Sequence, residues 1–406
     1  MSPDSRDPFF ELIGSDDPSS GLHRLRVEDP VHWVEPLGFW LVTRHDDVMA
    51  LFSDRERVGR DKRQWSAYLA PPPGTMLRWA EDNGMSAISE DAHARLRRLV
   101  SAAFTPRAVR RMGGQIREVV ARTAAPLQGR HGEVIDLLED FTKIIPNTVI
   151  SRITGVPPGN DEARFRRIAQ SVIAGFLPFT PPELRQGAEE GFQELSSWVR
   201  EMVAKRRVRP EEDLVTDLVH AQDSDDALRD DDIVLLLATL IAAGSETTAL
   251  AGVSIIRMLI DQPTVAQRLR TDRSLIARSI DEIIRFTICG PPGPPRFAVH
   301  DFELRGRTIR RGDMLMLSLG GANRDPAVYE EPDRLDLDRD VRSLAAFGKG
   351  PAFCLGANLA RRELTCITEA LLDILHPGSR VREDLLEFQD AGLFLRALNL
   401  PVEVGR

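Results

Sequence analysis

The chain has 406 residues, 42% of them hydrophobic and 28% charged, a globular balance that excludes a disordered or low-complexity protein. A formal net charge of −9 argues against a nucleic-acid partner, because phosphate recognition needs concentrated basic surface. Cys289, Cys354 and Cys366 are too few for a disulfide framework and lack paired zinc spacing, which points to a reducing, cytoplasmic setting.

Met1 to Ser20 has neither a basic start nor an apolar core, so no signal peptide is expected. The most apolar run, Ile233 to Ala243, is too short to span a bilayer and predicts a buried helix rather than a membrane anchor. No stretch has linker composition. A single domain over 1–406 is therefore expected, mainly α, with β-rich parts at about 31–42, 296–319 and 393–404.

In chain order, Val31 to Val42 alternates around Gly38 and predicts a hairpin, followed by a helix over Asp46 to Phe52. Arg60 to Ile88 shows little periodicity around Pro71, Pro72, Pro73 and Gly74, and reads as a long loop with aromatic residues, a packed loop or a lid. Ser89 to Phe104 predicts a helix with Ser89 as its N-cap. His93 and Arg97 fall on one face of it, where spacing alone allows a solvated basic face or a clamp for an anion.

Helices are expected over Arg107 to Leu127, Val134 to Ile153, Asp161 to Ile173 and Pro182 to Arg206. The turn Gly175 to Pro182 is apolar for a loop. Asp231 to Gln262 predicts the longest helix, and Ala243 Gly244 Ser245 Glu246 Thr247 Thr248 in its middle is out of place between apolar flanks. Glycine weakens a helix and a buried carboxylate costs more, so a local reason is required: a kink with threonine bonding back to a carbonyl, or a functional site. Ser274 to Phe286 predicts a further helix carrying Glu282 and Arg285 at i, i+3, and Ile288 to Pro295 is stiff with proline. Strands are expected over Arg296 to Val299, Arg307 to Ile309 and Met314 to Leu319, with a terminal pair near Leu393 to Leu395 and Val402 to Val404.

Phe347 Gly348 Lys349 Gly350 Pro351 Ala352 Phe353 Cys354 Leu355 Gly356 precedes a predicted helix over Ala357 to Leu375. Its glycines and proline pin the backbone, and a thiol at a helix start is favoured as thiolate, the metal-binding form. The pattern Phe-Gly-x-Gly-x-x-x-Cys-x-Gly resembles the heme-binding loop of the cytochrome P450 monooxygenases. That resemblance runs from about Trp33 to the end and implies the P450 fold, with the long helix over heme b (iron protoporphyrin IX) and Cys354 as iron ligand. It implies that His93, Arg97 and Arg296 meet the heme propionates, that Phe347, Gly348 and Gly356 shape the loop, and that Ala243 and Gly244 border the heme and oxygen. In the same way Glu246 and Thr247 match the family's acid and alcohol, which deliver protons, and Glu282, Arg285 and Arg334 its structural charge network.

Leu236, Leu237, Leu240, Phe176, Phe179, Leu393 and Phe394 are expected around an apolar pocket, and Cys289 to Pro294 beside it. The expected reaction inserts one atom of O2 into an apolar small molecule of steroid, terpenoid, fatty acid or polyketide class. Without a dinucleotide fingerprint, electrons are expected from a ferredoxin-type donor with its reductase. A peroxide-driven peroxygenase, a heme isomerase or dehydratase, and a non-catalytic heme sensor are the alternatives. One departure stands out: Ala352 occupies the place where the family usually carries a His or Arg for a propionate.

Overall fold

Val31–Val34 and Phe39–Val42 form the expected hairpin, paired antiparallel with Val31 opposite Val42, and Gly38 takes the left-handed turn position at φ +65°. In the computed structural model, which describes residues 7–13, 18–84, 90–156, 162–176, 181–222, 229–288, 293–390 and 395–406, the chain divides into two compact units. Each is assembled from two stretches of sequence. Ser89, Cys289, Phe179, Leu393 and Phe394 lie outside the described residues, as do residues 290–292 of the proline-rich stretch and the side chain of Phe176.

The first unit comprises Met1–Ala70 and Arg278–Leu355. Its five-stranded sheet runs, in spatial order, Val31–Val34, Phe39–Val42, Met314–Leu317, Pro295–Ala298 and Val58–Gly59. Only the pairing of Phe39–Val42 with Met314–Leu317 is parallel. Met314–Leu317 is buried along its whole length, as its unbroken apolar sequence requires. Val48, Leu51 and Phe52 of the helix His45–Ser53 pack with Val42, Val58, Leu315 and Leu317 in one apolar core.

The second unit comprises Pro71–Ala277 and Gly356–Arg406. The helix Asp230–Asp261 packs against Ile144–Thr154, Glu162–Phe176, Pro182–Val208 and Ala357–Ile374, and the last of these also packs on Pro106–Ala124. The 32-residue helix starts with Asp230, Asp231 and Asp232 in its first turn, and the Arg229 amide donates to the Asp232 carboxylate at 3.0 Å. By length and composition it is apolar enough to cross a membrane, yet 61% of its most apolar stretch is buried inside the protein, as in a core helix.

Three expectations need correction. Val134–Asp136 is a strand, paired with Pro401–Glu403, rather than the start of a helix. Asp136 is the pivot: its Oδ1 accepts from the Leu138 and Glu139 amides, starting the next helical segment, and from the Leu400 amide, fastening the C-terminal strand. The two terminal strands do not pair with each other. Leu395–Ala397 pairs with Phe388–Asp390, while Pro401–Glu403 also pairs with Arg380–Val381. Finally, the long loop contains a helix, Met76–Asn83, capped by Thr75 and by the Glu189 carboxylate, which accepts from the Met76 and Leu77 amides at 2.7 and 2.9 Å.

Candidate active site

The cysteine loop of the first unit is held by its own backbone. Gly348 and Gly350 both have positive φ, +68° and +71°, and a Cβ on either would press on Phe52 or Ser53. The Cys354 amide donates to the Phe347 carbonyl at 2.8 Å, and the helix Ala357–Ile374 begins three residues further on. Cys354 is exposed, whereas Cys366 is buried and its thiol is pushed up to about 11 by desolvation. Of these two, only Cys354 presents sulfur to a ligand.

Behind the loop, Arg285 and Glu282 form a fully buried two-pronged ion pair at 2.6 and 2.9 Å. Arg285 also donates to the carbonyls of Asn323 and Pro332, and the Asn323 side chain accepts from the Ala345 amide at the entrance to the loop. The expected third member is corrected. Arg334 takes part only through its backbone carbonyl, its exposed guanidinium turning to Glu331, and the second cation on Glu282 is Arg339 at 3.1 Å.

Arg296 is 6% exposed, donates only to the Pro295 carbonyl, stacks on Phe52 at 5.1 Å and has no ion pair with any described residue. Burial, with the Arg60 charge adding to it, pulls its guanidinium down to about 10. The Arg60 contribution has a clear origin. Val58 and Gly59 pair antiparallel with Ala298 and Phe297, so one more residue brings Arg60 opposite Arg296. Like charges directly opposite across strands repel. A buried guanidinium that faces a second cation and meets no described carboxylate of its own has the chemistry to accept an anion. Sequence reasoning missed Arg60; its signal lies in the register, which a sequence does not display.

In the second unit, His93 is buried and Arg97 half-buried on the helix Glu90–Ser101, where i, i+4 spacing gives them one face. The long helix is helical without interruption across Ala243 to Thr248. Its hydroxyls bond back to the preceding turn: Ser245 donates to the Ile241 carbonyl at 2.7 Å and Thr247 to that of Ala243 at 2.8 Å. Ala243 and Thr247 are exposed in the middle of this core helix, forming a strip one turn long. Gly244 turns the other way, where a Cβ would come within 3.2 Å of Ile150, so it is the point of closest approach to the helix Ile144–Thr154. Glu246 lines a cleft of about 180 Å³ that is mixed in character, with Glu139, Lys143, Asn147, Arg166 and Arg167 beside apolar Leu138 and Leu250. Leu236 and Leu237, expected around a pocket, are packed in the core, and Leu240 is half-buried.

The cytochrome P450 family model matches residues 35–375, running through both units. The chain is 31% identical to the polyketide biosynthesis cytochrome P450 PksS of Bacillus subtilis and 34% identical to the mycinamicin IV hydroxylase/epoxidase of Micromonospora griseorubida. These alignments cover 96% of both chains for the first and 93% of both for the second. The solved structure of epothilone B-bound cytochrome P450epoK superposes with a TM-score of 0.85 at 28% identity, covering 99% of this chain and 100% of that one. The chain belongs to the cytochrome P450 family and is a monooxygenase, an oxidoreductase with the P450 fold and a heme cofactor. Its residues fit that cofactor. A loop-pinned, exposed thiol can ligate iron, and the unpaired Arg296 suits a carboxylate.

Proposed function

We propose that this enzyme inserts one oxygen atom of O2 into an apolar small molecule of the polyketide or macrolide class, within the cytoplasm. The substrate class rests on the named chemistry of its relatives. In this reading Cys354 holds the iron of heme b, and His93, Arg97 and Arg296 hold its carboxylates, with Arg60 in the role vacated at Ala352. When bound, heme with a thiolate ligand supplies the oxygen-activating chemistry. Phe347, Gly348 and Gly356 keep the thiol at a fixed height. Ala243 and Thr247 form the oxygen side, while Gly244, expected there as well, faces Ile150 and lets the helix Ile144–Thr154 approach.

The observation that carries the reading is the disposition of Glu246 and Thr247. Adjacent on one helix, one lines a cleft that also holds charged side chains and the other an exposed strip, so a proton taken up from the cleft side at Glu246 can be handed on beside the Thr247 hydroxyl. Electrons come from a ferredoxin-type donor. Supporting this, Arg107, Arg110, Arg111 and Arg362 make no ion pair with any described residue, and Arg362 lies along the helix Pro106–Ala124 beside Gly113. That is an unpaired basic surface on a chain of net charge −9, suited to an acidic partner.

Reduced-CO absorbance tests thiolate ligation. Donor-driven oxygen consumption then tests the proton assignment: Thr247→Ala should keep consuming oxygen while product falls. Parent-like coupling in that variant would overturn it.

A further inference from the structure

Asn147 is 7% exposed on the helix Ile144–Thr154, and its two amide ends have different fates. Nδ2 donates to the Lys143 carbonyl at 2.7 Å, whereas Oδ1 is buried with no hydrogen-bond partner. Orphaned buried acceptors of this kind are rare and mark a bound water or a functional role.

Its position is fixed by two glycines of the long helix. A Cβ on Gly244 would lie 3.2 Å from Ile150, and one on Gly252 would lie 2.9 Å from Thr142. Gly252 follows Gly244 by as many residues as Thr142 precedes Ile150, so the segments run antiparallel and in step. Asn147, three residues before Ile150, therefore stands level with Thr247, three residues after Gly244. It also lines the same cleft as Glu246.

No described donor around the cleft reaches Oδ1, although Arg166 and Arg167 also line it. The Thr247 and Ser245 hydroxyls are spent on their own helix, and Lys143 is paired with Glu139. Water has both the proton to satisfy Oδ1 and the second proton to pass on.

We propose that Asn147 is a positioning residue for proton supply: its Oδ1 fixes a water in the cleft at the level of Glu246 and Thr247, and that water hands solvent protons to Glu246. This rests on the assignment of Glu246 and Thr247 made above. In each transfer the water gives one proton to the Glu246 carboxylate and takes one from the solvent of the cleft, and Asn147 is unchanged. Arg166, Arg167, Lys143 and Glu139 line the same cleft and set the field in which Glu246 titrates.

The test uses the heme-loaded enzyme with Asn147→Leu, which removes the acceptor, and Asn147→Asp, which keeps one. Asn147→Leu should lower donor-driven product per electron about three- to tenfold, the scale of one lost hydrogen bond between neutral groups, and enlarge the solvent deuterium isotope effect. Peroxide-driven turnover and the reduced-CO spectrum should stay at parent level, and Asn147→Asp should recover most of the coupling. In the resting protein, the Glu246 carboxyl infrared band, identified by its loss in Glu246→Gln, should titrate at higher pH in Asn147→Leu, because the carboxylate loses a solvating water. Parent-like coupling, isotope effect and titration in Asn147→Leu, alongside an impaired Glu246→Gln, would overturn the inference alone. A parent-like Glu246→Gln would remove the proton assignment and the inference with it. Should Asn147→Leu fail to fold, Asn147→Ala supplies the same comparison with a shorter side chain that also lacks the acceptor.

Discussion

Arg296 should have opposite effects on the heme-free and heme-loaded protein. Its guanidinium is 6% exposed, faces Arg60 and meets no described carboxylate, which pulls it down to about 10. A drop of that size corresponds to about 3 kcal/mol of destabilisation while the group is charged. The sign follows from linkage: a base whose folded pKa lies below its unfolded value costs stability at every pH below the folded pKa, and the cost fades only above it.

Arg296→Met keeps the aliphatic stem and removes the charge. Allowing for the lost Phe52 stacking and the Pro295 hydrogen bond, the heme-free variant should be more stable than the parent by about 1–2 kcal/mol, evenly between about pH 6 and 9. In the loaded protein the same change would, on the proposed role of Arg296, remove a charge-assisted bond to a carboxylate, and heme transfer to an excess of a scavenging acceptor protein should accelerate about 10–100-fold. Arg60→Met should show both effects at smaller amplitude, and Ala352→His should slow transfer by restoring a cation nearby. Denaturant titration of heme-free samples and transfer kinetics of loaded ones give the two numbers. A heme-free Arg296→Met less stable than the parent, or heme release at the parent rate, would refute the anion-site reasoning.

Three further outcomes are expected. Glu282→Gln leaves the Arg285 and Arg339 guanidinia against a neutral amide in a fully buried network and should cost about 3–5 kcal/mol by denaturant titration. Glu363, fully buried and pushed up to about 8 by desolvation, is neutral in the folded protein at pH 7 but ionised when unfolded. Glu363→Gln should therefore match the parent near pH 4 and gain about 1.4 kcal/mol per pH unit from about pH 5 to 8, levelling off above; a pH-independent difference would count against it. Arg110→Glu with Arg362→Glu should slow reduction by a ferredoxin about tenfold at low salt and have little effect at high salt, read by stopped-flow.

What the sequence displayed and what it hid divide along a physical line. The cysteine loop was legible because its restraints are local: Gly348 and Gly350 need positive φ, and the chain from Phe347 to Cys354 closes on itself. The long helix was legible because its apolar run is continuous and its acidic entrance adjoins it. The elements misread depend on polar groups recruited across the chain. Glu189 caps a helix 113 residues before it, Asp136 fastens a strand 264 residues away, and Arg339 reaches Glu282 over 57 residues. Periodicity records which side chains face a core; it carries no record of which distant carboxylate meets a helix end.

The same distinction bears on Ala352. A motif fixes a charge to one position in the loop, but a carboxylate ligand responds to field and donor geometry, whichever segment supplies them. Arg60 arrives opposite Arg296 through strand pairing, with Gly59 facing Phe297. In the proposed arrangement the cation lost from the loop is restored from the neighbouring strand, which a one-dimensional motif would count as absent. On that proposal, a position-by-position reading undercounts the cations available to an anionic ligand wherever the register of a sheet, rather than the order of the chain, sets the neighbours.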